Sequence, residues 1–294
     1  MTSLLSQIKR RFPWWGKIAL KVTLSRIPLA YRVWKRLSMF EHGPMDSPDY
    51  ALKVFYNRVS VAGFEPRLRG ATLLELGPGD SLFSALIARA YGADKTYLVD
   101  VGDYCERDLS AYEGMAQNLA DMGMDIRPEG GFRDFEHMLE HCNAVYLTDG
   151  LQSLIEIPDK DVDFIWSQAV LEHIREGEFS DVMAELRRIS RDDGVGSHEV
   201  DLADHLGGAL NNLRFSRRVW ESPLFSDAGF YTNRIRYSQM LDYFRLARFD
   251  ADVFRVDKWD DVPTSRKNMV QPFSRLTDQE LVVKVFEVIL HPMK

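Results

Sequence analysis

Thr72-Leu73-Leu74-Glu75-Leu76-Gly77-Pro78-Gly79-Asp80-Ser81 carries an apolar strand into a glycine-rich turn, and residues 82–91 continue as an apolar helix. Strand, turn and helix in that order open a parallel α/β sheet. Glycines in such a turn let a ligand approach the backbone closely, and the following helix N-terminus supplies N–H groups without helical partners. A dinucleotide fingerprint would need a third glycine at position 82, which is Leu82. A P-loop is excluded as well, because no Gly-Lys-Ser/Thr follows.

Outward from this segment, strands and helices alternate. Strands are expected over Thr72–Leu76, 96–100, Ala144–Leu147, 162–167 and 195–200, with Asp193-Gly194 turning the chain before the fifth. Helical stripes fall at Tyr112, Met115 and Leu119, and at Val182, Leu186 and Ile189. A helix over 238–246 then leads to a strand over 253–259. The β-branched run 282–290 reads as a closing antiparallel strand, although Thr277 and Glu280 have capping-box spacing and allow a helix. The fold class is α/β: a Rossmann-like, doubly wound, mainly parallel seven-stranded sheet with an antiparallel C-terminal strand, N-terminal helices and a helical insertion. Ser47, Pro48 and Asp49 mark the start of a helix that Gly63 ends. Residues 1–66 read as a basic helical arm and cap, and 67–294 as the main domain, with an insertion at about 203–235.

The stretch from Leu74 to Gly79 resembles the first motif of class I S-adenosylmethionine-dependent methyltransferases. The resemblance implies that Glu75, Gly77, Pro78 and Gly79 hold the methionine part of S-adenosylmethionine. It implies that Asp100, closing the second strand, accepts from the ribose hydroxyls, a role a carboxylate can fill with both oxygens. Val101 then flanks the adenine, and Asp149-Gly150 lies near its amino group. Residues 163–173 (Asp-Phe-Ile-Trp-Ser-Gln-Ala-Val-Leu-Glu-His) are similar to the family's fourth-strand motif, which adds Ser167 and Gln168 to the expected cofactor site. The likeness covers roughly residues 70–200.

In open α/β sheets ligands bind outside the carboxyl ends of the strands. The segments after strands four and five, with Glu172-His173 and with Asp201, Asp204 and His205, therefore face the acceptor. Methyl transfer is an in-line displacement that requires an aligned acceptor and often removal of its proton. A hydroxyl needs a base, and His205 and His173 are the candidates, with Asp201 beside them. Asp201, Asp204 and His205 also have donor types suited to Mg²⁺ or Mn²⁺. Capping of a following helix accounts for two of them, so no metal is assigned. The insertion holds Asn211, Asn212, Arg214, Arg217, Arg218, Trp220, Tyr231, Asn233, Arg234 and Arg236, a mixture suited to a polar acceptor such as a sugar or an anionic metabolite. For any single one of them a solvated helical cover is the plainer reading.

Composition narrows the partners. The chain of 294 residues has a net charge of −7. Residues 1–40 hold nine Lys or Arg and no acid, which leaves 28 basic against 44 acidic residues in the remainder. An acidic body argues against nucleic acid as partner. The basic arm, with Trp14, Trp15, Tyr31 and Trp34 and a stripe at Leu29, Val33 and Leu37 after Pro28, reads first as a cap over the cofactor site. Peripheral contact with an anionic membrane is compatible with that, and suits a lipid-linked acceptor. Cys105 and Cys142 read as reduced thiols, and with no evident signal peptide or spanning segment the expected location is cytoplasmic. The leading function is O-methylation of a small molecule or glycan. Methylation at nitrogen or carbon, a non-catalytic binding module and an NAD-binding protein are the alternatives. The absence of an Asn/Asp-Pro-Pro-Tyr motif favours oxygen.

Overall fold

The computed structural model describes residues 14–16, 18 and 47–294. The paired helices expected either side of Pro28, and the stripe of Leu29, Val33 and Leu37, lie outside the described residues.

Seven strands form one sheet in the order β3-β2-β1-β4-β5-β7-β6. They are β1 (Thr72–Leu76), β2 (Lys95–Val99), β3 (Ala144–Leu147), β4 (Val162–Gln168), β5 (Ser190–Asp201), β6 (Phe249–Lys258) and β7 (Val283–Pro292). Strands β1 to β5 pair in parallel, whereas β7 runs antiparallel to both β5 and β6. The sheet is therefore the mainly parallel, seven-stranded one expected, with a single reversed strand near its C-terminal edge. The 282–290 run is a strand, and Thr277 still caps: its hydroxyl accepts from the Glu280 N–H at the head of a one-turn helix, Asp278–Leu281.

Side chains alternate across the strands and build two cores. Leu73, Leu98, Phe164 and Trp166 face the first layer. That layer is α1 (Pro48–Val61), α2 (Phe83–Ala90), α3 (Leu109–Asp121) and α4 (Phe135–His141). Their neighbours Leu74, Val99 and Ile165 face the opposite layer, which includes α5 (Leu151–Glu156) and α6 (Phe179–Ile189). The insertion adds two one-turn helices, α7 (Arg217–Trp220) and α8 (Pro223–Ser226), before α9 (Tyr237–Leu246) covers the second face. With Asp278–Leu281 as α10 the helical set of the described residues is complete apart from 3₁₀ turns and the helical residues 14–16 and 18. The insertion carries its own apolar cluster around the fully buried Trp220, with Phe225, Phe230 and Tyr231. Ile18 belongs to that cluster, and Trp14 packs edge-on to Phe215 with the Arg214 guanidinium over its ring. The described part of the arm thus lies on the insertion.

Two expectations need correction, and two helices were not foreseen. Asp193-Gly194 does not turn the chain before a new strand: β5 is continuous from Ser190, and the extra residues form a bulge where the pairing steps from Val162–Ser190 to Phe164–Val195. Strand β6 begins four residues earlier than expected, at Phe249. Helices α4 and α5, seven and six residues long, have no counterpart in the sequence reading. Elements this short present too few turns for a periodic stripe.

Buried polar groups cross the core. The Arg58 guanidinium of α1, 1% exposed, donates to Glu287 of β7, which also accepts from Arg255 at 2.6 Å. His198 of β5 is buried, and its Nδ1 meets the Ser167 hydroxyl at 2.8 Å. Burial pushes the His198 pKa down to about 3 from 6.5, and Arg58 adds to the effect. The unfolded chain then binds a proton that the folded chain refuses between pH 6.5 and about 3. Stability should fall as the pH drops through that window, by about 1.4 kcal/mol per pH unit from this residue at 25 °C. Comparing urea denaturation of the protein with that of His198→Asn isolates this contribution: the stability advantage of the histidine should shrink steadily below pH 6.5, and a pH-independent difference would contradict it.

Candidate active site

The turn after β1 is shaped by what its glycines lack. Gly77 and Gly79 sit at φ +71° and +66°, a region that costs other residues about 1–2 kcal/mol. A Cβ on Gly77 would lie 2.6 Å from Cγ2 of Val170, just beyond β4. The glycine therefore allows the tips of β1 and β4 to close together. The Gly79 N–H donates to Asp100 Oδ2 at 3.0 Å, and the Val101 N–H donates to Asp100 Oδ1 at 2.7 Å. One carboxylate thus binds the β1 turn to the end of β2. The Gly150 N–H donates to the Asp100 carbonyl at 2.9 Å, which brings the end of β3 to the same place. Val101, 76% exposed, projects beside Gly150, whose added Cβ would meet Val101 Cγ1 at 3.1 Å.

Glu75 points into the first core layer, is 2% exposed, and accepts from the Ser84 hydroxyl of α2. Burial raises its pKa to about 8, opposed by the Ser84 bond and reinforced by Asp100. Pro78 is buried in the turn and Asp149 is exposed beyond β3. These residues converge at the carboxyl ends of β1, β2 and β3. Ser167 and Gln168 do not join them with open polar groups: Ser167 is fully buried against His198, and Gln168 donates to Glu199 Oε1 at 2.5 Å.

The second half of the site follows β4 and β5. His173 ends the 3₁₀ turn Leu171–His173, and its Nδ1 lies 2.8 Å from the Tyr231 carbonyl. A carbonyl only accepts, so Nδ1 carries the proton and the lone pair of the neutral ring sits on Nε2. His205 packs edge-on to His173, with ring centroids 4.7 Å apart. Glu172, 1% exposed, completes the group; one ligand atom from each of Glu172, His173 and His205 lies within 4.8 Å of the others. Glu172 Oε1 accepts from the Asp201 N–H at 3.2 Å, and its Oε2 is buried without a hydrogen-bond partner. Burial, then the nearby Asp201 and Glu199, push the Glu172 pKa well above the usual range.

Asp201 and Asp204 hold the loop that carries His205. Asp201 Oδ1 accepts from the Ala203 N–H, and Asp204 accepts from the backbone of Leu206, Gly207 and Asn211 and from the Asn211 amide. The Asp201, Asp204, His205 trio considered as a metal set is thus divided, with Asp204 committed to backbone. The residue that joins His205 is Glu172, whose apolar flank Val170-Leu171 was the signal that it is buried.

Most polar residues of the insertion also serve the scaffold and are not the solvated cover expected of them singly. Asn233 donates to the Leu171 carbonyl, Trp220 to the Thr232 carbonyl, Arg234 to the Phe215 carbonyl and Arg236 to the carbonyls of Leu202 and Val283. A cavity of about 10 Å³, the size of one water, lies among Glu172, Asp201, Asn212 and residues 232–236. A cavity of about 540 Å³ lies at the other end of the sheet, beside Arg69, Gly92 and His141, away from the strand ends described here.

The sheet, its reversed strand and the glycine turn at the tip of β1 define a Rossmann-like α/β fold. No protein-family model and none of the curated proteins matches the chain. Solved structures similar in chain path include an S-adenosylmethionine-dependent methyltransferase from Methanosarcina mazei. It is 16% identical, with a TM-score of 0.45 over 76% of this chain and 93% of that one. The YcgJ protein from Bacillus subtilis is 13% identical, with a TM-score of 0.44 over 84% and 99%. A methyltransferase of the same cofactor dependence from Mesorhizobium loti is 13% identical, with a TM-score of 0.42 over 78% and 97%. At these identities none of them assigns a role to a residue of this chain.

Gly77→Ala should destabilise the protein by about 2 kcal/mol or more, from backbone strain together with the Val170 clash. Adding Val170→Ala should recover the clash and leave the strain. Denaturant midpoints of Gly77→Ala, Val170→Ala and the double variant test this; a stable Gly77→Ala protein, or no coupling with Val170, would contradict the geometry.

Proposed function

We propose that the protein transfers the methyl group of S-adenosylmethionine to a hydroxyl oxygen of a polar small molecule or glycan. The observation that carries this reading is the single carboxylate of Asp100 bound to the glycine turn at Gly79 and to Val101, beside the exposed Val101 side chain. A cofactor with a ribose and an adenine fits that arrangement: the carboxylate for the hydroxyls, Val101 and Gly150 for the base, and the Glu75–Gly79 turn for the methionine part. Leu82 in place of a third glycine disfavours a dinucleotide.

The cofactor brings a sulfonium whose methyl carbon is open to a nucleophile. The chain supplies alignment and management of the acceptor's proton. His173, with its Nδ1 proton held by the Tyr231 carbonyl, presents Nε2 as a proton acceptor, and His205 shares the place. In the balanced step the acceptor oxygen bonds the methyl carbon, the carbon–sulfur bond breaks to leave S-adenosylhomocysteine, and the hydroxyl proton passes to imidazole. Asp201 acts through the loop that holds His205. The acceptor is read as a small molecule or carbohydrate and not as a nucleic acid, because the body of the chain is acidic. Membrane contact by residues 1–40 stays part of this proposal for a lipid-linked acceptor.

Screening an acceptor library for S-adenosylhomocysteine release identifies the substrate. With it, His205→Ala should lower kcat at least 100-fold, the usual scale of a lost general base. Unchanged turnover would remove His205 from the chemistry.

A further inference from the structure

The Glu172, His173 and His205 cluster has a composition that a proton-accepting pair of histidines does not require. Two imidazoles and a carboxylate, each able to bring one donor atom within 4.8 Å of the others, are gathered where β4 and β5 end. Glu172 is 1% exposed with Oε2 buried and lacking a hydrogen-bond partner. Leaving a carboxyl oxygen buried and unsatisfied is costly, and such a position is explained by a partner that protein atoms do not provide. A cation is the partner a carboxylate favours most. We propose that Glu172, His173 and His205 form a binding site for a first-row divalent cation such as Zn²⁺ or Mn²⁺.

The local chemistry agrees. Imidazole and carboxylate together select zinc, manganese or iron over magnesium and calcium, which prefer all-oxygen shells. The Tyr231 carbonyl fixes the His173 proton on Nδ1, the usual outer contact of a metal-binding histidine, and directs its lone pair through Nε2. Bonds of about 2.0–2.2 Å place neighbouring ligand atoms about 3–4 Å apart, so the cluster needs to contract by roughly an ångström at its widest. Three protein ligands leave positions for water or an acceptor oxygen, as in catalytic rather than structural sites. Val170, two residues before Glu172, packs against the Gly77 turn, so the segment that carries Glu172 and His173 starts at that turn.

The inference rests on the methyl-transfer reading only for its purpose. With the cation bound, the imidazoles would act as ligands instead of as bases, and the cation would acidify the acceptor hydroxyl so that its proton passes to solvent water. Binding itself is independent of activity. It requires no group from Asp204, whose oxygens are taken by backbone.

The test uses the full-length protein, stripped with a chelator and titrated with Zn²⁺ and with Mn²⁺ by calorimetry, followed by the visible spectrum of the Co²⁺-loaded form. One equivalent should bind, His173→Ala and His205→Ala should each abolish it, and Glu172→Gln should weaken it at least tenfold. The Co²⁺ spectrum should show d–d bands that shift in Glu172→Gln. No saturable binding, or equal binding by the protein and His205→Ala, overturns the site. Near-ultraviolet circular dichroism identifies a variant that has lost its fold, and the Co²⁺ spectrum of the unaltered protein then decides alone. S-adenosylmethionine binding without cation binding rejects this site and leaves the methyl-transfer reading. Cation binding without S-adenosylmethionine binding does the reverse.

Discussion

Asp100 lies at the point where three strand tips meet. Its carboxylate accepts the Gly79 and Val101 N–H groups, and its carbonyl accepts the Gly150 N–H. Such contacts are strong because an ionised acceptor binds backbone donors that the turn leaves without helical partners. Gly77 contributes the other constraint, since no side chain fits between it and Val170. Together they place the end of β1 against β2 on one side and β4 on the other. The proposed cofactor site depends on this convergence, because it brings the turn, Asp100 and Gly150 to one end of the sheet.

A second feature is the number of acids and bases held away from water. Glu75, Glu172 and His198 are each at most 2% exposed, and burial favours the neutral form of each. Their consequences differ. Glu75 is packed in the core under the glycine turn and bonded to Ser84, and Glu172 lies beside the two histidines. His198 is buried on β5 and bonded to Ser167 of β4, so its neutral form belongs to the folded sheet. Arg58 and Glu287 show the structural alternative, a buried pair that joins α1 to β7 and holds the first helix on the sheet.

The sheet was legible because its strands are short apolar runs bounded by glycine and acid residues, and because β1 leads into an unmistakable turn. Where reading went astray, a local signal lost to tertiary pairing. Asp193-Gly194 is a turn dipeptide, yet pairing of Ser190 with Val162 keeps the strand going and folds the extra residues into a bulge. Helix α4 is begun by Asp134, whose side chain accepts from the His137 N–H, but its seven residues give no periodic stripe. The turn residues, Asp100 and the two histidines could all be selected from the sequence. The insertion could not be interpreted, because its amides and guanidiniums bond to carbonyls far along the chain, Asn233 to Leu171 and Arg236 to Val283. The meeting of Glu172 with His205 was hidden for the same reason: 33 positions separate them, and only the Asp201 and Asp204 loop brings them together.

Binding of S-adenosylmethionine by the β1 turn and Asp100 is the proposal on which the others rest. Its most direct test is calorimetric titration of the full-length protein and of Asp100→Asn with S-adenosylmethionine and with NADH. Saturable binding of S-adenosylmethionine is expected, with no binding of NADH and at least tenfold weaker S-adenosylmethionine binding by the variant. Binding of NADH alone, or equal S-adenosylmethionine affinity in the two proteins, would contradict it.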